Sequence, residues 1–210
     1  MPQIVVAVDG PAGSGKSSVS KQVARELGFD YLDTGAGYRA FAIHHEQNQN
    51  VEIDFMIREY DYFISLDPDN PLVMLEGVDV TDEIRTERVS KLVSAVARQE
   101  AVRKLQFEDA RARIASSTKP GIVVEGRDIT TVIAPDAKLK VLLTASESVR
   151  LARRGSEGAE PAQNILARDL SDSQVVDFIT PAKGVSLLDT TEMNFQQSVA
   201  ALITMIEEVS

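Results

Sequence analysis

The 210 residues, 43% hydrophobic and 26% charged, are enough for one domain with a sizeable core, and no apolar run nears the about 18 residues needed to cross a bilayer. The absence of cysteine removes disulfides, thiolate catalysis and Cys-based zinc sites, and the two histidines, adjacent at His44 and His45, leave little for a His-rich metal site. A net charge of −10 argues against nonspecific nucleic-acid binding, and with no basic, long apolar leader after Met1 the expectation is a soluble, monomeric, cytoplasmic protein with neither nucleic-acid nor membrane partners.

Ile4 to Val8 is a continuous apolar run, as for a strand buried on both faces. After Gly10 to Gly15 comes a helical stripe of Val19, Val23, Ala24 and Leu27, stopped by Gly28. A second strand over residues 29–32 ends at Asp33, which completes a βαβ unit and implies a parallel sheet. Residues 36–48 read as a helix whose His44 and His45 lie on its exposed surface. Phe63-Ile64 and Leu72 to Leu75 flank the turn-rich Asp67 to Pro71 and predict a small antiparallel insert. The acidic residues Asp67, Asp69, Asp79 and Asp82 read as turn and cap residues, not metal ligands. A long helical stretch over 86–115 has a break near Gln99. The parallel pattern returns with strands at Ile122 to Val124, Leu139 to Leu143 and Val185 to Leu188, followed by an amphipathic helix carrying Phe195, Val199, Leu202 and Ile206. The polar, glycine-punctuated, Arg-rich 147–173 reads as a short lid.

Gly10-Pro11-Ala12-Gly13-Ser14-Gly15-Lys16-Ser17 fits G-x-x-x-x-G-K-[ST] between a buried strand and a helix. Backbone N–H groups of such a loop surround phosphate oxygens, Lys16 reaches the β- and γ-phosphates, and Ser17 binds Mg²⁺ delivered with ATP. No Asn-Lys-x-Asp guanine motif occurs, and Ser18 stands where a dinucleotide fingerprint needs its third glycine. The Asp33-Thr34-Gly35 stretch predicts a helix capped by Thr34, with Arg39 one turn in. Arg39 there is either a fork for a second anionic substrate or a solvated helical residue. Glu125-Gly126-Arg127-Asp128 follows a buried strand, where open α/β sheets place their ligand crevice, and its Arg-Asp pair reads equally as a structural ion pair. The phosphate loop does not name its acceptor: UMP, AMP, another small metabolite, or no second substrate at all, as in a non-catalytic nucleotide-binding regulator, fit it as well.

Together these segments resemble the cytidylate kinase family of bacterial-type nucleoside monophosphate kinases. The resemblance covers nearly the whole chain and rests on residues 8–17, Tyr31 to Arg39, Gly77 to Thr81, Ile84-Arg85-Thr86, Val93-Ser94, Val102-Arg103, Glu125 to Ile129, Arg168-Asp169, Asp172-Ser173 and Leu188 to Thr191. It implies an α/β P-loop fold: a parallel sheet with helices on both faces, a core of about 1–35, 116–146 and 174–210, a monophosphate-binding region over 36–115 and a lid over 147–173. It implies transfer of the ATP γ-phosphate to CMP or dCMP, with Gly10 to Ser18 binding ATP and Lys16, Arg127, Arg153 and Arg168 acting in catalysis. Ser94, Arg103 and Asp128 would contact the cytosine, Arg39 and Arg127 the CMP phosphate, Thr34 and Tyr38 the same pocket, and Asp172 the ribose. Two features depart from the family pattern: Val175 replaces the last lid arginine, and the lid is short. Gly37 is unusual too, since a mid-helix glycine costs about 1 kcal/mol relative to alanine.

Overall fold

The computed structural model describes residues 4–156 and 180–210, without side chains for 154–156. The chain opens with β1 (Ile4–Asp9), α1 (Lys16–Leu27), β2 (Asp30–Asp33), α2 (Thr34–Gln47) and α3 (Ile53–Glu59). It continues through β3 (Tyr62–Ile64), β4 (Val73–Leu75), β5 (Val78–Asp79), α4 (Glu87–Ala97) and α5 (Glu100–Ser116). The last elements are β6 (Gly121–Gly126), β7 (Leu139–Thr144), α6 (Glu147–Ser156), β8 (Ser186–Asp189) and α7 (Phe195–Glu207).

The apolar strands pair side by side in the order β2-β6-β1-β7-β8, every pair parallel. Successive β1 side chains go to opposite faces. Val6 and Val8 pack with Val19 and Val23 of α1 and with Leu202 and Ile206 of α7. Ala7, with Ile122 and Val124, packs under Phe41 of α2, Val89 of α4 and Val102 of α5. Both faces are therefore covered, as the continuous apolar runs require. The insert forms its own antiparallel sheet, β3-β4-β5, packed into the same core through Ile64, Val73 and Leu75. Asp67 and Asp79 accept hydrogen bonds within their own turns, and among the described residues no cluster of three or more acidic or histidine side chains could hold a metal. Also among them, no helix is long and apolar enough to cross a membrane.

The structure corrects the sequence expectations at several points. The helix expected over 36–48 begins at Thr34, and its cap is Asp33, whose carboxylate accepts from Ala36 N at 3.2 Å. Thr34 instead donates to the Glu125 carbonyl at 2.9 Å, tying α2 to β6. Helix α3 and a π-helical turn over Ile129–Ile133 were not anticipated by periodicity. His44 is not on the surface: it is 3% exposed, with Nδ1 2.7 Å from Glu76 and Nε2 3.2 Å from the Met56 carbonyl. The ring fills a gap beside Phe41 and Tyr60 that an aliphatic residue would fill without bonding the insert. The break near Gln99 does separate α4 from α5. The first ten residues of the expected lid form α6, and the rest of that segment lies outside the described residues.

Candidate active site

Three strand ends meet at one edge of the parallel sheet. Register places Asp9 beside Gly126, and both Val8 and Asp33 beside Glu125, so the segments after β1, β2 and β6 converge. This is the crevice at the carboxyl ends of the strands, where β1 pairs with β6 on one side and with β7 on the other.

The loop after β1 is shaped for an anion. Helix α1 starts at Lys16 behind Gly15, which has a left-handed backbone and no capping side chain, so the first amides of α1 face outward without a protein partner from a cap. Gly13 also has a positive φ, and a Cβ there would lie 2.7 Å from the Arg150 carbonyl of α6. The loop is thus packed against α6, and two arginines hold it there. Arg150 donates to the Ala12 carbonyl at 2.9 Å. Arg153 donates to the carbonyl of Ser14 at 2.9 Å and to the Oγ1 and carbonyl of Thr190.

Below the loop sits a buried polar group. Glu125, 2% exposed, accepts from Ser17 Oγ at 2.7 Å and Tyr31 Oη at 3.2 Å, and its other oxygen lies 3.6 Å from Lys16 Nζ. Burial pushes the Glu125 carboxyl up and the Lys16 ammonium down, while each one's charge opposes the other's shift. Beside it, burial would raise Asp33, but the positive charges of Arg85, Arg39 and Lys16 outweigh it and hold its carboxyl down to about 2. Arg85, from the insert, reaches Asp33 at 2.6 Å.

One pocket collects most of the expected residues. Ala12, Lys16 and Ser17 line it from the loop, Thr34, Tyr38 and Arg39 from α2, Ser94 from α4, Arg103 from α5, and Arg127 and Asp128 from the segment after β6. Gly10, Pro11, Gly13, Ser14 and Gly15 make the loop itself, while Ser18 is exposed on the first turn of α1. Burial and the nearby Asp9 charge push the Asp128 carboxyl up to about 6, with Arg103 pulling the other way. Tyr38 is likewise raised by burial and by Asp128. Arg153 is not in the pocket wall; its guanidinium braces the loop instead. Arg168, Asp172 and Val175 lie outside the described residues.

This arrangement joins a glycine-rich loop shaped for an anion to one pocket lined by Arg39, Arg103 and Arg127 together with Ser94 and Asp128. The family model described as cytidylate kinase matches residues 6–208. The chain belongs to the cytidylate kinase family. Cytidylate kinase from Streptomyces avermitilis is 39% identical over 219 residues, covering 99% of this chain and 94% of that protein. The one from Rhodococcus opacus is 40% identical over 223 residues, with 99% and 96% covered. Among solved structures, TT1252 from Thermus thermophilus matches in fold with a TM-score of 0.55 at 17% identity over 100% of both chains.

Four polar residues of this cytidylate kinase family member escaped the sequence reading of the site. Asp9, 4% exposed, accepts from Ile129 N at 2.8 Å and from Thr130 N and Oγ1 at 2.9 and 2.6 Å. It thereby fixes the turn that presents Arg127 and Asp128. Asp33 and Arg85 tie the insert to α2, and Glu125 holds Ser17 and Lys16. The available signal was position: Asp9, Asp33 and Glu125 are acids at the carboxyl ends of apolar parallel strands, where a charge is costly unless partners wait for it. Arg111, two turns beyond Arg103 on α5, donates to the Val132 and Ile133 carbonyls and ties the π-helical turn to α5.

Proposed function

We propose that this chain is an ATP-dependent nucleoside monophosphate kinase that transfers the γ-phosphoryl group of ATP to CMP or dCMP, giving CDP or dCDP and ADP. One observation carries the reading: Lys16 and Ser17 of the phosphate loop share a pocket with Arg39, Arg127, Ser94, Arg103 and Asp128. Family membership supports the same acceptor.

A phosphate oxygen of CMP attacks the γ-phosphorus, and the bond to the β-bridging oxygen breaks as ADP leaves. The attacking group is already an anion, so no side chain need serve as nucleophile or general base. The protein's contribution is alignment and charge. The loop amides and Lys16 hold the β- and γ-phosphates, Arg39 and Arg127 hold the CMP phosphate, and Arg168 would join them from the lid. Asp128 accepts from the cytosine amino group, and Arg103 and Ser94 donate to ring acceptors. Uracil offers a carbonyl where cytosine has its amine, which would face Asp128 without a donor. Thr34 and Tyr38 line the acceptor pocket, and Asp172 would take the ribose.

Ser17 and Glu125 supply hard oxygen ligands next to the loop, and together with ATP oxygens they suit Mg²⁺, which keeps few protein ligands. When bound there, Mg²⁺ would neutralise charge on the β- and γ-phosphates. The enzyme would work as a soluble cytoplasmic monomer on free nucleotides.

Incubation with ATP, Mg²⁺ and CMP, resolved by anion-exchange chromatography, is expected to give CDP and ADP in equal amounts. Lys16→Ala should lower that rate by at least about a hundredfold while the circular dichroism spectrum is kept. ADP without CDP would reduce the protein to an ATPase and overturn the proposal.

A further inference from the structure

Gly37 lies in the first turn of α2, one residue before Tyr38 and two before Arg39, both in the acceptor pocket. Its cost to the helix is offset by what occupies the space of its missing side chain. A Cβ at position 37 would lie 2.3 Å from Gln106 Oε1 and 3.0 Å from Tyr62 Oη. Gln106, on α5, is 4% exposed and its amide is lodged in this notch. The Gly37 carbonyl on the same turn accepts from Tyr60 Oη at 3.0 Å.

Arg103, Gln106, Asp109 and Arg113 fall on one stripe of α5 at steps of three and four residues. The lower part of that stripe is anchored. Asp109 accepts from Tyr62, Arg113 donates to Asp109 at 2.7 Å and to the Ile64 carbonyl at 3.2 Å, and its guanidinium lies 4.9 Å over the Tyr62 ring. Tyr62 in turn stacks on Tyr60 at 4.7 Å between centroids. One turn beyond Gln106, away from these anchors, Arg103 lines the same pocket as Tyr38. The distance between α2 and α5 at residues 37 and 106 therefore bears on how Tyr38 and Arg39 of α2 stand to Arg103 of α5 in that pocket.

We propose that Gly37 and Gln106 form the spacer that sets the width of the acceptor pocket, with Gln106 a positioning residue for Arg103. This rests on the acceptor reading above and adds a determinant of acceptor affinity that touches no substrate. A bulkier residue at 37 would displace the buried Gln106 amide, with Tyr62 Oη leaving it little room, and through it shift α5 and draw Arg103 from the base, whereas the ATP loop, which belongs to other elements, would feel little.

The test is steady-state kinetics on Gly37→Leu, Gln106→Ala and the double variant, with CMP and ATP varied separately. Gly37→Leu is expected to raise KM for CMP about tenfold, the loss of about one charge-assisted hydrogen bond, with KM for ATP within about twofold. Adding Gln106→Ala should empty the notch for the leucine and return KM for CMP to within about threefold of wild type. If the leucine variant fails to fold, Gly37→Ala serves, with a smaller rise in the same direction and the same rescue. An unmoved KM for CMP, a parallel rise in KM for ATP, or a double variant no better than the single would overturn the spacer. A wild-type protein that phosphorylates no monophosphate would overturn the proposed function, and the spacer with it; an active wild type with unresponsive variants overturns the spacer alone.

Discussion

Ser17 Oγ donates to Glu125 Oε1 across 2.7 Å, so the phosphate-loop serine is held from beneath by the adjacent parallel strand. The same carboxylate lies 3.6 Å from Lys16, which makes it the shared partner of both loop side chains. Glu125→Gln keeps the shape and an acceptor for Ser17 but removes the charge. It should lower kcat by about tenfold to a hundredfold, with KM for CMP moving less than about threefold. Stopped-time assays with each substrate varied would check this; an unchanged kcat would make Glu125 a purely structural acid.

Asp128 gives a prediction with a definite sign in pH. Its folded carboxyl is pushed up to about 6, mainly by burial and next by Asp9, from an ordinary value of 3.8. The folded state thus binds this proton more tightly than the unfolded state, so the fold loses stability as pH rises from about 4 through 6. Asp128→Asn should remove that penalty and raise unfolding free energy by about 3 kcal/mol at pH 8, with the gain vanishing near pH 4. Urea titrations at the two pH values test it, and the same variant should lose most of its activity toward CMP.

Asp33 has the opposite sign. Its carboxyl is held down to about 2, since Arg85, Arg39 and Lys16 together overcome burial, so its contribution is complete above about pH 4 and is lost as pH falls toward 2. Asp33→Asn also weakens the cap on α2 and the tie to Arg85. It should cost about 1–3 kcal/mol at pH 7, near the lower end because Arg85 is half-exposed. Thermal unfolding at pH 7 reads this directly, and Arg85→Ala should cost less than Asp33→Asn.

Arg153 braces the loop from α6 through the Ser14 and Thr190 carbonyls, and Thr190 is fully buried. Arg153→Ala leaves those carbonyls short of donors and frees the loop. Stability should fall by about 1–3 kcal/mol and KM for ATP should rise more than KM for CMP. A variant that loses kcat alone, with both KM values and the melting temperature kept, would return Arg153 to the transferred phosphate.

The sequence made the parallel core, the insert and the phosphate loop readable because each has a local signature: continuous apolar strands, a turn-rich break and glycines at fixed spacing. Lys16, Ser17, Arg39, Arg103, Arg127 and Asp128 were legible through motif and resemblance, and they share a pocket. What stayed hidden depends on contacts between distant segments. His44 looked like surface because its partners Glu76 and Met56 come from elsewhere in the chain. Asp33, not Thr34, caps α2 because Thr34 is drawn to the Glu125 carbonyl on β6. Gly37 looked like a plain helix defect until Gln106, 69 residues on, was seen in its notch.

In the proposed function, one pocket joins ATP phosphates to a cytosine-reading acceptor site. Initial rates with saturating ATP and Mg²⁺ and with CMP, dCMP, UMP or AMP varied test it most directly. The kcat/KM for CMP or dCMP should lie at least about a hundredfold above that for AMP, the discrimination expected when buried polar groups are left unpaired. Equal values for CMP and AMP would contradict it.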